Sequence, residues 1–181
     1  QEMNDFNLGF NFGSKADTLG KLYGRLTFSQ IPSFFHFTFK EWTINKNLIL
    51  EKIADMKNTD IESVILRSSA INEDGELFAN AGAFLSIPHI DPCNKKLVES
   101  SITQVFESYL EINKNNSPNE KDQILVQSMI QDISMSGVIF THVMNTGAPY
   151  YVINYDDESG QTDTITQGIG DSNRTLYVCR S

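Results

Sequence analysis

An α+β fold is expected for this chain, with a mixed α/β part followed by a mainly antiparallel β part. Three observations predict it. Up to residue 112, segments of helical period alternate with short apolar or alternating runs. Residues 113–122, Asn-Lys-Asn-Asn-Ser-Pro-Asn-Glu-Lys-Asp, have the composition of a linker. Beyond them the period becomes strand-like, and short apolar runs follow one another between turn residues. The chain therefore reads as 1–112, a linker 113–122, and a β-rich part 123–181.

Residues 1–13 are polar with scattered Phe and Gly and read as a loop. Ser14-Lys15-Ala16-Asp17 has the form of a capping box, and Ala16, Leu19, Leu22 and Tyr23 supply an apolar helix face that Gly24 can end. The aromatic alternation of Ile31–Phe39, entered through Pro32, predicts a strand. Thr43 to Met56 predicts a helix with Thr43 as its cap. Glu62–Ser69 reads as a short buried strand running into a polar loop at 70–82. Ala83–Ile87 reads as a strand stopped by Pro88. Val98, Ile102, Val105, Phe106 and Tyr109 form one stripe of a helix over 92–112. Strands are then expected at Ile124–Ile130, Gly137–Val143, Tyr150–Tyr155, Thr162–Thr166 and Thr175–Cys179, in an antiparallel meander.

Composition narrows the function classes. Of the 181 residues 40% are hydrophobic and 20% charged, too apolar for a disordered chain. No apolar run approaches the roughly 20 residues that span a bilayer, so no membrane partner is expected. The net charge of −9 disfavours a nucleic-acid partner, because such a surface repels phosphate backbones. Cys93 and Cys179 match no metal spacing; a reducing cytoplasm is the simplest reading, with a pair as the other.

Two basic residues stand out. Lys15 sits at an expected helix N-terminus, where free amides and the helix dipole favour an anion; the alternative is a lysine reaching into solvent. Arg67 continues the apolar strand Val64-Ile65-Leu66, and with Ser68 and Ser69 it makes an oxyanion-binding set. Its alternative role is an ion pair with Glu73 or Asp74 that shapes the loop. Those adjacent acids are themselves ordinarily solvated, and His36, His89 and His142 lie in unrelated contexts with structural roles.

Several segments, in order, resemble the N-terminal nucleotide-binding region of the phosphoenolpyruvate synthase and pyruvate phosphate dikinase family. Phe12-Gly13-Ser14-Lys15-Ala16-Asp17-Thr18-Leu19-Gly20 resembles its opening Gly-Gly-Lys-x-x-x-Leu-Gly. Val64-Ile65-Leu66-Arg67-Ser68-Ser69-Ala70-Ile71-Asn72-Glu73-Asp74 is similar to its Val-Arg-Ser-Ser-Ala-x-x-Glu-Asp signature. Val126-Gln127-Ser128-Met129-Ile130 is similar to its Val-Gln-x-Met-Val strand, and Ser136-Gly137-Val138-Ile139-Phe140-Thr141 to Ser-Gly-Val-x-Phe-Thr. The chain departs from the pattern at Leu77-Phe78-Ala79-Asn80, at Val143-Met144, and at Gly160-Gln161-Thr162-Asp163, where the family has Gly-Leu-Gly-Glu.

The resemblance implies an ATP-grasp fold, with ATP held between two α+β subdomains. It implies that Lys15, Arg67 and Ser68 contact the phosphates, that Gln127, Ser128, Met129 and Ile130 line the adenine, and that Asp163 stands for a family glutamate. It implies an ATP-dependent phosphotransferase using Mg²⁺, with metal ligands mostly outside these residues. The phosphoryl group would pass through a histidine on a further domain to a small-molecule acceptor: pyruvate, an antibiotic hydroxyl, or a glutamine amide in capsule biosynthesis. The chain reads as a divergent N-terminal fragment of such an enzyme, inactive by itself. The alternatives are a non-catalytic nucleotide-binding domain and an acidic interaction domain.

Overall fold

The computed structural model describes residues 13–59, 61–69, 85–113, 117–161, 165 and 173–180. The chain divides into two compact units, Gln1–Met129 and Ile130–Ser181.

Local chemistry starts each helix of the first unit. In α1 (Lys15–Leu22) the Ser14 hydroxyl accepts from the Asp17 amide at 3.2 Å, and the Asp17 carboxylate accepts from the Ser14 amide at 3.3 Å. After the helix, Gly24 takes φ +74°, a left-handed turn that costs glycine little. Strand β1 (Phe34–Thr38) runs straight into α2 (Phe39–Asp55), because Thr38 and Glu41 form a second capping box. The helix thus begins a turn before the expected Thr43, whose hydroxyl instead donates to the Phe39 carbonyl. The Phe39 and Lys40 amides also donate to the carbonyls of Asp122 and Glu120, so a distant turn shares in setting this start. Asn45 leaves helical geometry and kinks α2, which a short 3-10 turn, Met56–Thr59, extends. In α3 (Lys95–Asn113) the Asn94 side chain accepts from the Leu97 amide at 3.2 Å.

Strands β2 (Val64–Ser68), β3 (Ser86–Ile90) and β4 (Gln123–Ser128) complete an antiparallel sheet with the order β1-β4-β2-β3. Two expectations change here. Pro88 lies inside β3 rather than ending it. That strand is at the sheet edge, where a missing N–H need cost no ladder bond, and its pairing with β2 shifts register nearby while His89 takes φ +57°. Strand β4, placed by its period with the β-rich part, instead sits between β1 and β2. The unit boundary therefore falls after Met129 and not in 113–122.

One face of this sheet meets α2 and α3. Phe37, Val64, Leu66, Ile124 and Val126 of the strands close the core with Ile49, Ile53, Val98, Ile102, Val105 and Phe106. Each such side chain contributes about 1.5–3 kcal/mol on full burial. Phe106 holds an aromatic cluster, with Phe39 edge-on at 5.0 Å and Phe37 at 6.2 Å.

The second unit carries the meander β5 (Ser136–Phe140), β6 (Tyr150–Asp156) and β7 (Arg174–Cys179). The buried Asp156 carboxylate accepts from the amides of Glu158 and Ser159, which turns the chain after β6. Arg174 pairs with Asp157 at 3.2 Å and Glu158 at 2.6 Å. The strand expected over 162–166 lies outside the described residues except Ile165, which is helical. Cys93 and Cys179 are both free thiols, and no helix among the described residues is long and apolar enough to cross a membrane.

Gly137 faces the β6 backbone so closely that an added Cβ would lie 2.6 Å from the Asn154 carbonyl oxygen. Gly137→Ala should destabilise the fold by about 1–3 kcal/mol, seen as a lower urea midpoint; an unchanged midpoint would contradict this close approach.

A second expectation concerns acid. The Thr38 backbone amide and then its hydroxyl hydrogen-bond the Glu41 carboxylate and hold it below the ordinary value of 4.5. Its stabilisation is complete above the unfolded pKa and is lost as pH falls through the lower, folded one. Glu41→Gln should therefore flatten the acid limb of melting temperature against pH below about 4.5; an acid limb identical to that of the parent chain would contradict this.

Candidate functional site

In β2 the side chains alternate. Val64, Leu66 and Ser68 belong to the helix-covered face, and Ile65 and Arg67 to the other. Register extends that second face across the sheet, since residues directly opposite share a side. Arg67 stands opposite Leu125 and Ser86, and Leu125 opposite His36, so His36, Leu125, Arg67 and Ser86 form one row. Ile65 stands opposite Gln127, which puts Gln127 diagonal to Arg67 on the same face.

Arg67 has an unusual environment. Its Nε is buried and has no hydrogen-bond partner among the described residues. A guanidinium stays charged at any physiological pH and is donor-only, so a buried N–H left empty costs free energy until an acceptor meets it.

The first turn of α1 is tied to the end of β2. The Ala16 amide donates to the Ser69 hydroxyl at 3.0 Å, and the Ser14 hydroxyl donates to the Gln123 side-chain oxygen at 2.9 Å. The Ser69 amide in turn donates to the Tyr109 hydroxyl at 2.8 Å and to the Gln123 carbonyl at 3.1 Å. Tyr109 donates to that same carbonyl at 2.6 Å. Lys15 lies between the two anchored residues, Ser14 and Ala16, and is half-buried.

These bonds revise the expectation of free amides. The amides of Ala16, Asp17 and Thr18 are met by Ser69 Oγ, Ser14 Oγ and the Ser14 carbonyl. An anion here would draw on the side chains of Lys15 and Arg67. The set Arg67, Ser68, Ser69 also separates. Ser68 points to the core face, opposite Ile124, with a buried hydroxyl that nothing in the structure explains. Ser69 is engaged with α1.

The residues expected along the adenine are spread out. Gln127 shares the face of Arg67. The amide of Ser128 donates to the Ser33 carbonyl at 2.9 Å, and that of Met129 to the Ser63 carbonyl at 3.0 Å. The Met129 sulfur accepts from the His89 amide at 3.0 Å. Ile130, the first residue of the second unit, is 59% exposed. Asp163, Glu73, Asp74 and the loop 77–80 lie outside the described residues.

No group of three or more His, Cys, Asp or Glu among the described residues could hold a metal ion. A cleft of about 380 Å³ is made by residues 22–31, among them Leu22, Tyr23, Leu26 and Ile31, and neither Lys15 nor Arg67 lines it. Asp122 is held above its ordinary value by burial, against the Asn119 amide, and it belongs to the turn that meets α2. Sequence reasoning missed Tyr109 and Gln123. The one signal for Tyr109 was a hydroxyl on an apolar helical stripe, which must find a partner when buried.

No protein-family model matches the chain, and the search of curated proteins finds no match either.

Ser69→Ala should orphan the buried Ala16 N–H and cost about 1–3 kcal/mol of stability. Chemical denaturation measures this directly; a loss below a few tenths of that range would mean that water replaces the hydroxyl.

Proposed function

We propose that this chain is the ATP-binding N-terminal part of an ATP-dependent phosphotransferase with an ATP-grasp fold. It would be a divergent relative of the phosphoenolpyruvate synthase and pyruvate phosphate dikinase family, acting in the cytoplasm. The observation that carries this reading is the buried Arg67 Nε, which has no hydrogen-bond partner among the described residues. It lies on the sheet face shared with Gln127, beside a strand end to which the turn bearing Lys15 is bonded. A phosphate fits a planar guanidinium as a carboxylate does, since two parallel N–H bonds can reach two of its oxygens.

In this reading Arg67 forks onto the phosphates and Lys15 adds a point charge. Both act by neutralising charge that builds up in transfer, with no covalent role. Gln127 to Ile130 would run along the adenine, and Asp163 would replace the family's glutamate. Mg²⁺ would neutralise phosphate charge when bound, but the described residues offer it no ligand set. The phosphoryl group would leave through a histidine on another domain to a small-molecule acceptor. A second reading, a non-catalytic nucleotide-binding or interaction domain, draws support from the α1 amides already being satisfied by the protein itself.

Calorimetric titration with ATP separates these. We expect the 181-residue chain to bind ATP in the millimolar range, about 4 kcal/mol. Arg67→Ala should weaken this at least about tenfold, the loss of roughly 1.4 kcal/mol, with an unchanged melting temperature, and Arg67→Lys should restore it only in part. Binding indifferent to Arg67, or a variant that loses stability and not affinity, would remove Arg67 from the phosphates.

A further inference from the structure

The hydrogen bonds at the strand ends form a closed ring. Tyr109 Oη bonds the Ser69 amide, Ser69 Oγ bonds the Ala16 amide, Ser14 Oγ bonds Gln123 Oε1, and the Gln123 carbonyl returns to Tyr109. The ring joins four elements: α3 on one face of the sheet, the ends of β2 and β4, and α1. Tyr109 is 1% exposed and Ser14 and Ser69 are fully buried, so water competes little for these bonds.

Little else is available to place α1. It has eight residues, and Ala16 is its one buried residue. A helix this short is not stable by itself, and burying a single alanine adds little. Polar bonds therefore do for α1 what apolar packing does for α2 and α3. They pin the backbone on both sides of Lys15 and so set where its side chain starts.

We propose that Tyr109 is a positioning residue: its hydroxyl holds the ends of β2 and β4 together and, through Ser69 and Gln123, fixes the place of Lys15 relative to Arg67. This rests on the phosphate-binding reading of those two residues. Tyr109 touches no ligand itself. It acts from the far side of the sheet, through a hydroxyl on the apolar stripe of α3.

Tyr109→Phe keeps the ring that packs on Phe106 and removes only the hydroxyl. The test is hydrogen exchange in the unliganded chain, together with ATP affinity in two backgrounds. The expected result is faster exchange at Ala16, Asp17 and Thr18, with protection retained in α2 and in the core of α3. ATP affinity should fall about five- to tenfold, and Tyr109→Phe should add nothing further in a Lys15→Ala background, since coupled residues are non-additive. Gln123→Met cuts the ring at Ser14 while leaving the backbone carbonyl for Tyr109, and it should show a weaker form of both signatures. Unchanged exchange in α1 would overturn the proposal. So would a loss of affinity equal in both backgrounds, or protection lost evenly across α3 and β4, which are the marks of a merely structural role. If the wild-type chain binds no ATP, the phosphate reading fails by itself, while the exchange data still decide whether Tyr109 positions α1.

Discussion

The first unit depends on where one strand lies. β4 pairs with β1 on one side and β2 on the other, and its run Ile124-Leu125-Val126 is buried on both faces. Without it, β1 and β2 would present two unpaired edges, and α2 and α3 would have no continuous surface to cover. Its first residue, Gln123, does more than pair. Its backbone carbonyl accepts from Tyr109 and Ser69, and its side chain accepts from Ser14, so the strand that completes the core also places α1. Even the start of α2 leans on the approach to β4, through the carbonyls of Glu120 and Asp122.

This arrangement gives the two faces of the sheet different chemistry. The face under α2 and α3 is mostly apolar, with the buried Ser68 and, opposite Val64, Ser128 as its polar residues. The other carries Arg67, Gln127, Gln123 and His36 around the buried Leu125. A chain of net charge −9 has many carboxylates to offer an arginine, yet none among the described residues meets Arg67 Nε. Arg174 shows the ordinary solution, with Asp157 and Glu158 both against it and its pKa raised by them. The two arginines thus differ in how their N–H groups are met among the described residues.

Among the described residues, the second unit buries few apolar side chains. Val152 is the buried apolar residue of its sheet, while Ile139, Leu176 and Val178 remain exposed. Its shape is held by specific local devices: the Asp156 carboxylate on two turn amides, Gly160 at φ +69°, and Gly137 under the Asn154 carbonyl. The glycine of the Ser136–Thr141 segment thus has a backbone reason to be glycine.

What the sequence determined by itself was local. The Ser14–Asp17 capping box, the stripe of α3, the alternation of β1 and the short run of β2 were legible because their causes lie within a few residues: a hydroxyl three positions from an amide, or apolar side chains at one period. The candidate pair Lys15 and Arg67 was legible for the same reason, a charge where a helix starts and a charge where an apolar strand ends. Tertiary structure decided the rest. Neighbours on both sides placed β4 with the first unit, an edge position allowed Pro88 into β3, and bonds from residues 120–122 joined the capping box at Thr38 in setting the start of α2. Strand alternation alone could have separated Ser68 from Arg67, but only the register showed which face each one joined. The Tyr109–Ser69–Ser14–Gln123 ring lay beyond any reading of the sequence, because its members are up to 109 residues apart and meet only where strand ends, a helix and a turn converge.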